Sequence, residues 1–455
     1  MSRRLTQLRC PMSRSQWRCN KPKSQPYLEE RDAANTSHTL CRTTRRKLGL
    51  FVIRHSAAAA SLLAAVLSVM VVGSPAHAVP RVPTSDNEIV ETLPSVAGWS
   101  REERRLRREL VQRPRDESTA LEAANTYLDL ARSQGDARYA GYAMGVLQAW
   151  QPINAATPNR ILVMHATVAQ FLHDFDGSER TLKLALAADP SNAQGWLTLA
   201  TILRVSGRYA DSDAACRSLV KLRQNLYAVA CLAENAGLRG DHHGAQESLQ
   251  SLLDSPPLKD PRQSATRQWL LTTVAEVNEL AGHAPAADDA YRQALGAERA
   301  GYDVLAYSDF LLSQNRPAEV LPLIKSEPRS DAVLLRIVMA TQRLGEQKKL
   351  SATQRATAQS DVDELAARFD AAALRPGSTV LHAREHAMFA LDVQKDARHA
   401  LELARLNVQL QREPIDLLVF ARAAAAANDD AARAEVKALM QQIGLRDARV
   451  DAVLS

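Results

Sequence analysis

The apolar positions of this 455-residue chain recur with a helical period along most of its length. Large apolar residues stand at Trp196, Leu199 and Leu203, with the small residue Ala200 between them. Because residues three and four apart lie on one face of a helix, this spacing predicts an amphipathic helix that ends in a turn at Gly207. Comparable runs recur along the chain, and no run of alternating β-branched residues predicts a strand.

The predicted turns between helices keep a nearly constant spacing. They fall at Gly135, Asp174, Gly207, Gly240, Gly282, Asn315, Gly345, Lys395 and Asn428. From Gly207 onward the separations are 33, 42, 33, 30, 50 and 33 residues. The longer separations mark two insertions. One is a proline-containing loop from Ser255 to Pro261, and the other is a polar helix over about Ala352 to Leu374, stopped by Pro376 and Gly377.

The element Trp196-x-x-Leu199-Ala200-x-x-Leu203 resembles the tetratricopeptide repeat, a helix–turn–helix unit of about 34 residues. The resemblance extends over about residues 118–445 and is weaker at both ends. It implies an all-α, right-handed superhelical solenoid of antiparallel helix pairs, in which neighbouring pairs must stack to bury their apolar faces. An irregular helical bundle is the alternative. The resemblance also implies that the chain binds protein partners on an extended inner groove.

The N-terminal end has the pattern of an export signal. Residues 47–78 are predicted to be a signal peptide, with a 16-residue apolar core from Ala57 to Val72 and a cleavage pattern that ends at Ala78. A membrane span needs about 20 apolar residues, and this 16-residue core is shorter, which favours a cleaved signal peptide. An uncleaved inner-membrane anchor is the alternative. Residues 1–46 are predicted to be a poorly ordered basic extension upstream of the true translation start. The expected location is therefore the periplasm.

The basic character of the chain is confined to that same end. The net charge is +6, but residues 1–78 hold 13 Lys and Arg against three acids, and the remainder holds 44 against 48. A chain cleaved after Ala78 is weakly acidic, which removes the main argument for nucleic-acid binding. Membrane contact is expected only through an uncleaved signal segment.

Residues 79–117 are predicted to be a linker and a charged lead-in helix, Arg101 to Gln112, and residues 118–455 the repeat domain. In the repeat domain, Cys216 and Cys231 lie in neighbouring predicted helices. They are expected to be buried thiols that pack as small apolar residues. A disulfide between them is the alternative, which an oxidising compartment would permit.

The sequence contains no nucleophile elbow, phosphate-binding loop or zinc-protease motif, so neither an enzyme nor a cofactor is expected. The one candidate for metal chemistry is the pair His382 and His386, four residues apart on a predicted helix. A metal- or cofactor-handling protein that uses residues 350–400 is therefore one alternative function. Trp196 is expected in the core, and Trp150 is expected to end a helix.

The first helix of each pair is expected to line the inner groove. Its non-packing positions give the partner-binding candidates Thr201, Arg204, Glu234, Glu276, Glu279, Asp309 and Arg336. Exposed acids through the middle of this set predict a basic or amine-bearing partner. Thr198 and Cys231 replace the asparagines of a carboxylate clamp, which argues against a C-terminal carboxylate ligand. The predicted function is an exported interaction scaffold, with a membrane-anchored assembly factor as a further alternative.

Overall fold

The computed structural model describes residues 101–348, 350–374 and 378–455, with side chains from Arg104 onward except that of Ser378. The predicted extension, signal peptide and first part of the linker lie outside these residues, as do Pro376 and Gly377. The described chain is built from helices and turns, and it contains no strand. The predicted all-α solenoid of helix pairs is confirmed.

The helices follow one another with short connections. In the first half they are α1 (Arg101–Gln112), α2 (Glu117–Gln134), α3 (Arg138–Val146), α4 (Asn159–Phe171), α5 (Phe175–Ala188), α6 (Ala193–Val205), α7 (Tyr209–Lys221), α8 (Asn225–Leu238), α9 (His242–Asp254), α10 (Ser264–Leu280) and α11 (Ala284–Ala297). In the second half they are α12 (Gly301–Ser313), α13 (Pro317–Ile324), α14 (Asp331–Gln347), α15 (Ala352–Ala373), α16 (Ser378–Leu381), α17 (Ala383–Phe389), α18 (Ala397–Leu410), α19 (Pro414–Ala426), α20 (Asp430–Ile443) and α21 (Ala448–Leu454).

Left-handed residues separate the two helices of most pairs. The positive-φ positions between paired helices are Gly135, His173, Gly207, Gly240, Gly282, Asn315, Lys395 and Asn428. Glycine and asparagine tolerate this conformation best, which is why they mark the predicted turns. The helix N-cap follows directly at Asp174, Asp241 and Asp429, each accepting a hydrogen bond from a backbone amide. The turns predicted from Gly207 onward are confirmed, with one exception.

The turn predicted at Gly345 is wrong, because α14 continues through this residue to Gln347. A glycine inside a helix costs only about 1 kcal/mol, and the packing of a long helix overrides it. The predicted loop from Ser255 to Pro261 contains two short 3₁₀ turns, Pro256–Lys259 and Pro261–Gln263. The helix predicted over Ala352 to Leu374 is α15, which begins with a capping box formed by Ser351 and Gln354.

Close approach of paired helices is visible in a repeated hydrogen bond. The Ser178 hydroxyl donates to the Ala166 carbonyl over 2.6 Å, and the Ser212 hydroxyl donates to the Ala200 carbonyl over 2.8 Å. Ala200 is completely buried, as its predicted packing role requires. Trp196 is half-buried against the core, and its indole N–H donates to the Pro190 carbonyl. Trp150 ends a short 3₁₀ turn, as predicted.

Cys216 and Cys231 form a disulfide between α7 and α8, with Cα atoms 5.8 Å apart. The expectation of two free thiols is therefore wrong, although both residues are buried as predicted. The geometry depends on how two adjacent helices face each other, which periodicity along one helix does not specify. No helix in the described part of the chain is both long and apolar enough to cross a membrane.

Candidate binding groove

The predicted groove residues lie on consecutive first helices, α6, α8, α10, α12 and α14, and two pairs of them are in contact. Arg204 of α6 forms an ion pair with Glu234 of α8 over 3.0 Å. Arg336 of α14 donates two hydrogen bonds to the Asp309 carboxylate of α12, over 2.9 and 2.5 Å. These pairs tie neighbouring first helices together, as the stacking of a solenoid requires.

The remaining candidates also have partners within the chain. The Thr201 hydroxyl donates to the Leu197 carbonyl of its own helix over 3.1 Å. Glu276 accepts a hydrogen bond from the Tyr302 hydroxyl, and Glu279 accepts one from the Tyr291 hydroxyl. Burial raises the pKa of the Glu279 carboxyl above its ordinary value, and the charge of Arg449 opposes that rise.

The expectation that the groove acids are exposed is wrong for Glu234, which is 3% exposed, and for Glu279, whose side chain is 10% exposed. The basic candidate Arg336 is also completely buried. Glu234 and Glu279 lie beneath the C-terminal helices α17 to α21 (383–454), called here the cover, which the helical periodicity of α6 to α14 does not predict. Their role in partner binding remains a prediction.

This cover contacts the C-terminal ends of three first helices. The Arg412 amide donates to the Val205 carbonyl at the end of α6 over 2.8 Å, and the Arg446 amide donates to the Leu238 carbonyl at the end of α8 over 2.9 Å. The last carbonyls of a helix have no partner within it, so these bonds satisfy groups that otherwise need water. At the end of α10, the Arg449 guanidinium forms an ion pair with Glu279.

A cavity of about 120 Å³ remains between the groove and its cover. Its polar lining includes, from the repeat helices, Glu234, Thr273, Glu276, Glu279, Tyr291, Tyr302, Asp309 and Ser313, and from the cover Arg384, Glu413 and Arg449. Four predicted groove residues thus meet around one cavity. The lining contains five carboxylates and two arginines, and Arg204 and Arg336 pair with Glu234 and Asp309 from outside it, so the acids outnumber these arginines by one.

Arg384 anchors the cover beside this cavity. Its side chain is 3% exposed and contacts Glu413 over 2.7 Å and Asp416 over 2.5 Å. Sequence reasoning missed both Arg384 and Arg449, since neither occupies a groove position of a first helix in the middle of the array. The ion pair of Arg449 with Glu279 spans 170 residues, and no local pattern carries a signal for such a contact.

The two candidate metal ligands do not share a helix face. His382 lies at the break before α17, where the backbone leaves the helical conformation, and His386 lies within α17. The His386 ring stacks on Phe369 at 4.7 Å and meets the edge of His399 at 5.1 Å, measured between ring centres. In the described ranges, no group of three or more His, Cys, Asp or Glu residues is arranged to hold a metal ion.

No protein-family model matches the chain, and no curated protein matches it. The chain is similar to solved structures that include the following. Pseudomonas aeruginosa pilF is 16% identical with a TM-score of 0.33, over 48% of this chain and 92% of that chain. A tetratricopeptide repeat protein from Parabacteroides merdae is 14% identical with a TM-score of 0.34, over 58% and 98%. A monomeric mutant of IFIT1 with Gppp-AAAA is 13% identical with a TM-score of 0.34, over 74% and 70%.

The architecture rests on this chain's own helix pairs, on the positive-φ turns between them and on the serine–carbonyl hydrogen bond that recurs in successive pairs. By these features the described chain is a tetratricopeptide-like helical-repeat solenoid.

Proposed function

We propose that the chain is an exported protein-interaction scaffold that binds a partner segment in the groove formed by α8, α10 and α12. The observation that carries the proposal is that this groove already holds a protein segment, the chain's own C-terminal cover, through backbone and side-chain contacts. A surface that satisfies backbone groups and arginine side chains of one polypeptide is suited to another.

Two observations support export. The signal-like pattern from Ala57 to Ala78 precedes the repeats, and Cys216 and Cys231 form a disulfide. Disulfides persist in oxidising compartments and are rare in cytosolic proteins. Fractionation followed by N-terminal sequencing tests this part, and the expected first residue is Val79. A chain that keeps Ala57 to Val72 and sediments with the inner membrane would instead support the membrane-anchored scaffold.

The scaffold role is tested by affinity capture from the native envelope, with a tag inserted between the exposed residues Pro256 and Pro257. Glu276→Lys places a positive charge beside the cavity and is expected to abolish capture of the partner. The matched control is Glu247→Lys, because Glu247 is 69% exposed on the second helix α9. Equal capture by both variants would show that the partner does not use the groove.

A further inference from the structure

We infer that residues Ile443–Leu454, called here the C-terminal arm, occupy the partner's place in the groove, and that the partner is a basic segment whose arginine replaces Arg449. This inference rests on the proposed function and specifies the chemistry of the partner. The arm contains the end of α20, the turn after it and α21.

The arm does not behave as a simple end cap. In a solenoid, each repeat contacts its immediate neighbours, and a terminal cap covers only the last pair. The arm packs on α19 through its buried residues, but it also reaches α8 and α10, far earlier in the chain. Contacts with two consecutive first helices are the contacts that a bound peptide would make.

The turns of successive pairs fit closely around the arm. A Cβ atom at Gly240 would lie 3.0 Å from the Arg446 side chain, and one at Gly282 would lie 3.4 Å from Ala448. Both glycines have positive φ, so they also form the turns themselves. The arm therefore follows two consecutive repeats in register, with its Arg446 amide fixed on the Leu238 carbonyl.

The groove recognises the arm through a guanidinium group. Arg449 pairs with Glu279, whose carboxylate is also held by the Tyr291 hydroxyl. Glu276 lies one turn away on the same helix face and lines the same cavity. A planar guanidinium donates several hydrogen bonds in a fixed geometry, so such a carboxylate favours arginine. The surrounding acids disfavour an anionic segment.

The arm is also expected to bind the groove more weakly than a partner segment would. Arg449 donates to the carboxylate of Asp447, two residues earlier, over 2.9 and 2.7 Å, so the arm brings its own counter-charge into the groove. The Arg449 side chain is 23% exposed, but Glu279 and Asp447 are only 10% and 0% exposed, so a partner must supply another cation to keep the Glu279 carboxylate paired. A partner arginine without an adjacent acid would therefore compete effectively for Glu279.

The space that remains does not suit a small molecule. Ligand pockets are typically about 300–1,000 Å³, whereas the cavity beside the arm is about 120 Å³. A ligand of the groove must therefore displace the arm, and a protein segment of the same chemistry can do so.

The test uses a fluorescent peptide of residues 442–455 as the probe and the full chain as the receptor. Arg449→Glu in the receptor places a third negative charge beside Glu279 and Asp447, which should release its own arm. If the open fraction rises tenfold, the apparent Kd for the peptide falls by about tenfold relative to the wild-type chain. The matched control is Arg398→Glu, which makes the same charge change at an exposed residue of α18 outside the arm and should bind as the wild type does.

A second measurement tests the role of the peptide's Arg449 directly. A peptide carrying Arg449→Glu should bind the released receptor at least about tenfold more weakly than the unchanged peptide. Circular dichroism checks folding, and Arg449→Gln replaces the receptor variant if Arg449→Glu unfolds the chain.

Equal peptide affinity for the wild-type and released receptors would overturn the inference. Equal affinity of the released receptor for the peptides with and without Arg449→Glu would also overturn it. A dimer of the released receptor in light scattering would overturn it too, by making a second copy the occupant. In a further outcome, Glu276→Lys abolishes envelope capture, but Arg449→Glu does not change peptide binding. This result would support the proposed scaffold and reject only the role of the arm.

Discussion

The regular middle of the solenoid, α6 to α13, and its C-terminal end, α17 to α21, contain the same kind of helix pair but are held by different contacts. In the middle, polar contacts join adjacent helices, as between Ser212 and Ala200 or between Arg204 and Glu234. At the C-terminal end, Arg446 and Arg449 reach back to Leu238 and Glu279. The comparison teaches that one repeat type can both build a groove and close it.

The largest expected effect on the free energy of unfolding comes from Arg384, which anchors the cover, and it is compared with the loss of an exposed ion pair. Arg384→Ala leaves the buried carboxylates of Glu413 and Asp416 without their cation and should cost about 3–5 kcal/mol in the free energy of unfolding. Arg405→Ala is the control, because its pair with Glu435 is about 40% exposed and should contribute at most about 1 kcal/mol. Urea denaturation measures both, and equal losses would contradict the anchoring role of Arg384.

A pH dependence should follow from His173, which lies between α4 and α5, before the regular middle. It is buried and is influenced by Arg384 and Glu413 of the C-terminal end. Burial lowers its pKa to about 4, and the positive charge of Arg384 adds to this shift. The folded-state pKa lies below the unfolded value of about 6.5, so the unfolded state takes up the proton first as the pH falls. The contribution of His173 to stability is complete at pH 7.5 and should decrease by about 3 kcal/mol between pH 6.5 and pH 4.

His173→Asn suits the same left-handed backbone and removes the titrating group, so it should flatten this part of the pH profile. The exposed His243, changed to Asn, is the control and should leave the profile unchanged. Denaturation midpoints at pH 7.5 and 4.5 compare the two variants. A profile that stays as steep in His173→Asn as in the wild type would assign the dependence to another group.

A smaller effect tests the packing of the regular middle. Ala200 is completely buried where α6 and α7 approach, so Ala200→Leu should cost about 1–3 kcal/mol by overpacking. Ala356→Leu, at an exposed position of α15, is the control and should change stability by no more than about 0.5 kcal/mol. Thermal melting of both variants measures the difference. Identical melting temperatures would mean that the helix register of the repeat is wrong.

Much of the middle could be predicted because its determinants are local. Gly207, Gly240 and Gly282 mark turns through the conformational freedom of glycine, and the apolar spacing of α6 gives its buried face. The lead-in helix from Arg101 to Gln112 was predictable for the same reason. Local rules fail where packing decides, as at Gly345, which lies inside a helix.

The candidate site was only half predictable. Periodicity places Glu234, Glu276, Glu279 and Asp309 on consecutive first helices, and the structure brings them to one cavity. Periodicity does not predict that Arg449 contacts Glu279, because that contact depends on how the C-terminal helices pack back onto the earlier helix pairs. The disulfide between Cys216 and Cys231 also depends on packing between helices rather than along one.

Hydrogen exchange of the full chain, followed by mass spectrometry, tests most directly whether the arm closes the groove. In the wild type, amides 445–454 should be protected, and Arg449→Glu should accelerate their exchange by at least about tenfold while the amides of α6 keep their rates. The opposite result is an arm that already exchanges at the rate of a free peptide in the wild-type chain. That outcome would mean that the groove is open and that the account of its closure is wrong.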